Sequence, residues 1–235
     1  MSKLLLAAFL TCLTILPLQA VQMHVLAWDQ NIAKRKLAIA YGNKSVRIRD
    51  MHHFTRSKAV KISEQSANLR IIAEDRLSEE GTPLFLPIEI PANIKKPLLL
   101  VLPDKTDPIG VKTLCIEDSV ENFKWGSIRF VNVTGEDLIF RHEKQNRLIP
   151  SGWKPTSVTP KGKNRNMGVS IYLRKNLKIP PLYSSIWRHR QDLRKLVIIV
   201  PSKDKSRGLI DFRFIVENRI AIQAERKTTQ AELQQ

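Results

Sequence analysis

Apolar and polar residues alternate along most of this chain with a period of two, in short runs broken by turn residues. Leu37-Ala38-Ile39-Ala40-Tyr41 and Val46-Arg47-Ile48-Arg49 flank Gly42-Asn43, a pattern that predicts a hairpin. Leu69-Arg70-Ile71-Ile72 and Leu84 to Ile90 are further strands, the second held to a sheet edge or a bulge by Pro87. Two runs break the alternation. Leu98 to Leu102 and Leu196 to Val200 are wholly apolar, with Pro97, Pro103 and Pro201 at their ends. Short runs with no polar face predict strands buried on both sides. Val111 to Ile116 follows the Asp107-Pro108 turn signal.

The second half has the same texture. Ser127 to Val133 predicts a strand with Ile128 and Phe130 on one face, Arg129 and Val131 on the other. Thr134 to Asp137 then turns into Leu138 to Phe140, a second hairpin. Val169, Ile171 and Leu173 share a face. Ile210, Phe212, Phe214 and Val216 alternate with Asp211, Arg213, Ile215 and Glu217, which predicts a half-buried strand. Helical patterns are few. Asp118 to Phe123 fits one turn between the halves, and Ser185 to Lys195 fits a short helix through Ile186, Leu193 and Leu196. Ile220 to Gln235 reads as a frayed helix or a disordered tail.

Many short strands with regularly spaced turns predict an all-β, antiparallel β-sandwich architecture. It is built either as two Ig-like or jelly-roll-like sandwich domains or as one large sandwich. The divisions expected are a signal peptide at 1–20, an N-terminal β domain at 21–118, a C-terminal β-sandwich domain at 119–219 and a polar tail at 220–235. Each half carries a proline-bounded apolar strand, a turn and an alternating strand, which falls short of a sequence repeat.

The first 20 residues depart from this texture. Lys3 precedes an apolar stretch from Leu4 to Leu18, and Leu18-Gln19-Ala20 ends on a small residue. That order predicts a secretory signal peptide, hence export to the periplasm or beyond the cell. No later stretch approaches the roughly 20 apolar residues of a membrane span. Cleavage removes Cys12 and leaves Cys115 alone, so the exported chain depends on its hydrophobic core rather than on an internal disulfide.

Charge changes the picture next. The chain of 235 residues carries 39 Lys+Arg against 22 Asp+Glu, a formal net charge of +17. Residues 34–61 hold nine basic residues and one acidic, and residues 141–195 hold 14 and two. The stretch between them is net acidic. Brought together, the basic segments would form one positive surface that concentrates anionic partners. Lys161, Lys163 and Arg165 lie in a loop of flexible composition, and Trp187-Arg188-His189-Arg190 adds donors for phosphate or carboxylate. These seven residues are the candidate anion-binding site. Trp153, Tyr172, Tyr183 and Trp187 interleave with them, as in proteins that stack single-stranded nucleic acid; the other reading of these aromatics is core or turn packing.

Other chemistry lacks its parts. The sequence has no Gly-x-Ser-x-Gly elbow and no phosphate-cradling Gly loop. Its histidines lack the spacing of a helical zinc site, and one mature cysteine excludes Cys-rich zinc sites. Glu74-Asp75, Glu79-Glu80 and Glu117-Asp118 flank turns or strand ends, where acids are commonly just exposed. No cofactor, metal or catalytic residue is expected.

Trp125 to Gly135, Ile149-Pro150-Ser151-Gly152, Tyr183 to Arg188 and the strand 209–217 resemble segments of uncharacterised exported β-rich proteins of bacteria. The resemblance spans residues 36–217 and carries no activity. The expectation is a non-enzymatic exported protein of the bacterial cell envelope with an anionic partner: an envelope polymer, a lipid headgroup or a nucleic acid. The alternatives are a chaperone-like assembly module that adds a partner strand to a sheet edge, and a hydrolase with a site built from scattered residues.

Overall fold

A computed structural model describes residues 21–62, 68–175 and 180–232. The signal peptide expected at 1–20 lies outside the described residues. Sixteen strands form four sheets of four. In the first half, β1 (Val21–Ala27), β4 (Val60–Ile62), β7 (Pro97–Pro103) and β8 (Val111–Glu117) make sheet I in the order β4-β1-β7-β8. β2 (Leu37–Tyr41), β3 (Lys44–Arg47), β5 (Arg70–Leu77) and β6 (Pro83–Pro87) make sheet II in the order β3-β2-β5-β6.

The second half repeats this wiring strand for strand. β9 (Ile128–Asn132), β12 (Thr156–Val158), β15 (Leu193–Pro201) and β16 (Ile210–Asn218) make sheet III in the order β12-β9-β15-β16. β10 (Leu138–His142), β11 (Gln145–Ile149), β13 (Arg165–Leu173) and β14 (Tyr183–His189) make sheet IV in the order β11-β10-β13-β14. Each half has one parallel pair, β1 with β7 and β9 with β15, at the same place in an otherwise antiparallel arrangement. The fold is therefore duplicated although the sequence pattern falls short of a repeat, because strand order survives when side chains diverge.

Three apolar layers set the stacking. Val25, Leu99 and Val101 face Ile39 and Ile71 between sheets I and II. Phe130, Val197 and Ile199 face Phe140 and Ile171 between sheets III and IV. Leu26, Leu98 and Leu100 face Val131, Leu196 and Ile198 between sheets I and III. The order of layers is thus II, I, III, IV, with the corresponding sheets of the two halves back to back.

This accounts for the two all-apolar runs. In β7, Leu98, Leu100 and Leu102 serve the central layer while Leu99 and Val101 serve the outer one. β15 divides in the same way. Inner sheets covered on both faces need both parities of side chain to be apolar.

Several expectations change. Leu138 to Phe140 does not form a hairpin with Ser127 to Val133: β9 and β10 belong to different sheets, and Thr134 to Asp137 crosses the sandwich. Ser185 to Lys195 is not helical but the end of β14, a turn and the start of β15. β16 is not simply half-buried. Ile210 and Phe212 pack into the layer beside sheet IV and Ile215 into the central layer, while Phe214 and Val216 lie exposed at the edge. Residues 119–123 form a single turn, with Phe123 N–H donating to Ser119 O at 2.8 Å. A single helical turn, α1 (Gln30–Ala33), follows β1, and the tail is helical as α2 (Arg219–Glu232). The expected Gly42-Asn43 hairpin is present as β2–β3, with Gly42 at φ 51°.

The layer order also separates the charge. Of the basic stretch 34–61, β2 and β3 join sheet II and β4 joins sheet I; of 141–195, β11, β13 and β14 join sheet IV while β12 and the start of β15 join sheet III. Sheets II and IV are outermost on opposite sides of the molecule, so their basic residues do not share one face, whereas Arg56 and Arg194 meet where the halves join.

Candidate functional site

The pairing of β13 with β14 assembles most of the candidate anion site. It sets Arg165 opposite His189 and Asn166 opposite Arg188. The basic loop is pinned beside this pair. Gln191 N–H donates to Asn164 Oδ1 at 2.8 Å, and Gln191 Nε2 donates to Gly162 O at 3.1 Å. Arg165 Nη1 donates to Lys163 O at 3.1 Å. Lys161, Lys163, Arg165 and Arg188 therefore share one end of sheet IV. A shallow depression of about 430 Å³ lies among Asn164, Arg165, Asn166 and Arg188. A second, of about 470 Å³, includes Lys161, His189, Gln191 and Arg219.

The charges in this cluster are not equivalent. Arg165 is engaged by Glu143 through Nε at 3.0 Å and Nη2 at 2.5 Å. Arg190 is paired with Asp192, which Nε reaches at 2.9 Å. No ion pair at Lys161, Lys163 or Arg188 is present among the described residues, and all three are exposed. Lys195 Nζ donates to Arg188 O at 2.7 Å.

Trp187 and His189 point the other way. Side chains alternate along β14, so Trp187 and His189 face the core while Ser184, Ile186 and Arg188 face outward. Trp187 is 7% exposed, packs among Phe130, Phe140, Phe212 and Phe214, and donates Nε1–H to Tyr183 Oη at 3.0 Å. Burial, then the positive charge of Arg165, pushes the His189 imidazole below its ordinary 6.5. It is neutral at pH 7 and adds no charge to the cluster. The other interleaved aromatics are also committed. Tyr172 lies under the Arg141 guanidinium, 4.4 Å from the ring centre, and Trp153 packs on Trp28.

A cavity of about 750 Å³ lies between the halves beneath α2. Its floor is an ion network that sequence reasoning missed. Arg56, from the loop before β4, binds Asp118 through Nε at 2.7 Å and Nη2 at 2.8 Å. Arg194 of β15 reaches the same carboxylate at 3.3 Å, and Glu217 of β16 pairs with both arginines. His24 Nδ1 donates to Ser57 O at 2.8 Å. The members lie up to 161 residues apart, so no local spacing could have announced them. The Glu117-Asp118 pair was visible, but read as exposed; Asp118 is buried instead.

Burial by itself would raise the Asp118 carboxyl, but the Arg56 hydrogen bonds and the Arg56 and Arg194 charges hold it below the ordinary 3.8. Both acids and both guanidiniums are thus committed to one another. This floor fastens the halves together and leaves no described carboxylate in it free for proton transfer.

No cluster of three or more His, Cys, Asp or Glu suited to a metal occurs among the described residues. No described helix is long and apolar enough to cross a membrane. No family model matches the chain, and neither does any curated protein. Among solved structures, the chain is similar to a Bacteroides uniformis protein described as a putative cell adhesion protein, at 9% identity and a TM-score of 0.26, over 85% of this chain and 98% of the other.

Proposed function

We infer that this is an exported, non-enzymatic protein of the cell envelope that holds an anionic partner at the basic end of sheet IV. The observation that carries this reading is the β13–β14 register with its pinned loop. It brings Lys161, Lys163 and Arg188 to one end of the sheet, exposed and, among the described residues, without carboxylate partners. Cations left unpaired on a fixed scaffold lose little conformational freedom when an anion binds, and their fields add. The opposite basic segment is less suited. In sheet II, Arg47 is neutralised by Glu74, and nearby Arg35 by Asp75. Export rests on the signal-like residues 1–20.

The test is a titration of the mature protein against polyphosphate and against polygalacturonate, at low and at high salt. Binding weakens with salt and falls at least tenfold in the triple variant Lys161→Glu, Lys163→Glu, Arg188→Glu. Absence of salt-sensitive binding to either polymer overturns the reading.

A further inference from the structure

We propose that the outward face of sheet IV is a platform for an acidic polysaccharide, bound through its carboxylates and its ring faces. The inference rests on the anion-binding reading above and names the ligand class.

The duplicated fold provides an internal comparison. The four strands of sheet IV contain Arg141, Arg147, Arg165 and Arg188 and no Asp or Glu. Their counterparts in sheet II contain Glu74 and Asp75. By strand order and register, Arg141 stands where sheet II has the buried Ala40. The far edges differ too. β6 begins and ends in proline and spans five residues, whereas β14 spans seven with none. Sheet II carries acids beside its arginines and prolines on its edge; sheet IV has a proline-free edge strand and, among the described residues, pairs Arg165 alone of its four strand arginines, with Glu143 of the β10–β11 turn.

Gly168 marks the centre of the open face. The chain has nine glycines, and eight adopt positive φ, where glycine is the natural residue. Gly168 is the exception. It lies in the middle of β13, where pairing with β14 runs unbroken from Arg165 to Ile171 and pairing with β10 begins at the next residue, Val169, so it marks no bulge. A Cβ there would meet nothing within 4 Å, so internal packing does not demand glycine either. A strand glycine without a conformational or packing role fits close approach of a ligand to the backbone. Its cross-strand neighbour Ile186 is 70% exposed and leaves the spot uncovered.

The surrounding side chains define the chemistry. Arg141 and Arg188 have no carboxylate partner among the described residues; Arg188 is exposed and suited to paired hydrogen bonds with a carboxylate, while Arg141 is held in place by Asn146 at Nε and Tyr172 at Nη1 and keeps Nη2 for a ligand. Strand rise and spacing put them roughly 16 Å apart across the face, a span for several sugar rings rather than one. Asn166 and Ser184 supply neutral donors and acceptors for hydroxyls, and Ile186 supplies an apolar surface for the C–H side of a ring. A single-stranded nucleic acid would need open aromatic rings. Here Tyr172 is covered by Arg141 and Trp187 is buried, so base stacking has no platform.

The deciding variant is Gly168→Val. It fits the open space and places a β-branched residue beside Ile186, so its thermal midpoint stays equal to wild type or rises. Affinity for polygalacturonate falls at least tenfold in this variant and in Arg141→Ala, while neutral dextran fails to bind any form. Unchanged polygalacturonate affinity in Gly168→Val overturns the platform. So does equal or tighter binding of polyphosphate or single-stranded DNA, and both results leave the anion-binding reading intact. Failure of every polyanion to bind removes both.

Discussion

Arg56 and Asp118 meet through two parallel hydrogen bonds, Nε to Oδ2 at 2.7 Å and Nη2 to Oδ1 at 2.8 Å, with both side chains buried. Arg194 and Glu217 complete the group, so each charge has a partner of opposite sign. Asp118→Asn keeps the shape and removes one negative charge. Two buried guanidiniums then share a single carboxylate. Breaking a buried pair from one side costs about 3–5 kcal/mol. Urea unfolding of Asp118→Asn is expected to show a loss of that order, and a loss under about 1 kcal/mol, the scale of a surface pair, would show that the network is not what fastens the halves.

Stability is expected to fall with acid in two windows. Burial pushes the imidazoles of His24, His142 and His189 below 6.5. Below about pH 6.5 the unfolded chain therefore takes up protons first, and stability drops until the folded imidazoles protonate. The second window belongs to Asp118 and Glu117. Burial would raise both, but Arg56 hydrogen bonds at Asp118 and Ser119 hydrogen bonds at Glu117 hold them below their ordinary values. Their contribution is complete above about pH 4.5 and is lost as pH falls through the lowered values. Urea midpoints measured against pH show the two steps, and His142→Leu shrinks the first without moving the second.

Cys115 is expected to be slow toward thiol reagents. Burial first, and the neighbouring Glu117 charge second, push its thiol up to about 12. The thiolate is the reactive form, and at pH 7.5 almost none is present. Labelling with a maleimide should lag far behind a free thiol and reach that rate in denaturant. Fast labelling of the folded protein would contradict the half-buried placement on β8.

Leu100 sits in the central layer, fully buried against the second half. Leu100→Ala removes packing shared by sheets I and III and is expected to cost about 2–5 kcal/mol. Because that layer belongs to both halves, fluorescence from Trp28 in one half and Trp187 in the other should report the same shifted transition.

The sequence made strands legible wherever one face meets water. β10 and β13 alternate between buried and more open positions, and Pro87 correctly marked β6 as an edge. The all-apolar β7 and β15 were legible for the opposite reason, since a strand covered twice has no polar parity. What escaped was non-local. Nothing near Asp118 announces Arg56 or Arg194, and nothing near Lys44 and Arg47 says that β3 ends up in the sheet on the far side from β13 and β14. Trp187 misled because a buried residue on an edge strand is flanked by exposed ones, so Ile186 to Arg190 reads as one polar cluster. The register with β13, invisible locally, decides which of them face outward.

The central layer bears on how this protein survives dilution. Two like units with one greasy face each would come apart at low concentration. Joined in one chain, each keeps its mate at a local concentration that dilution cannot change. The pairing is then covalently secured, and the outer sheets of the two halves are free to diverge: acids join the arginines in sheet II, while the strands of sheet IV hold none.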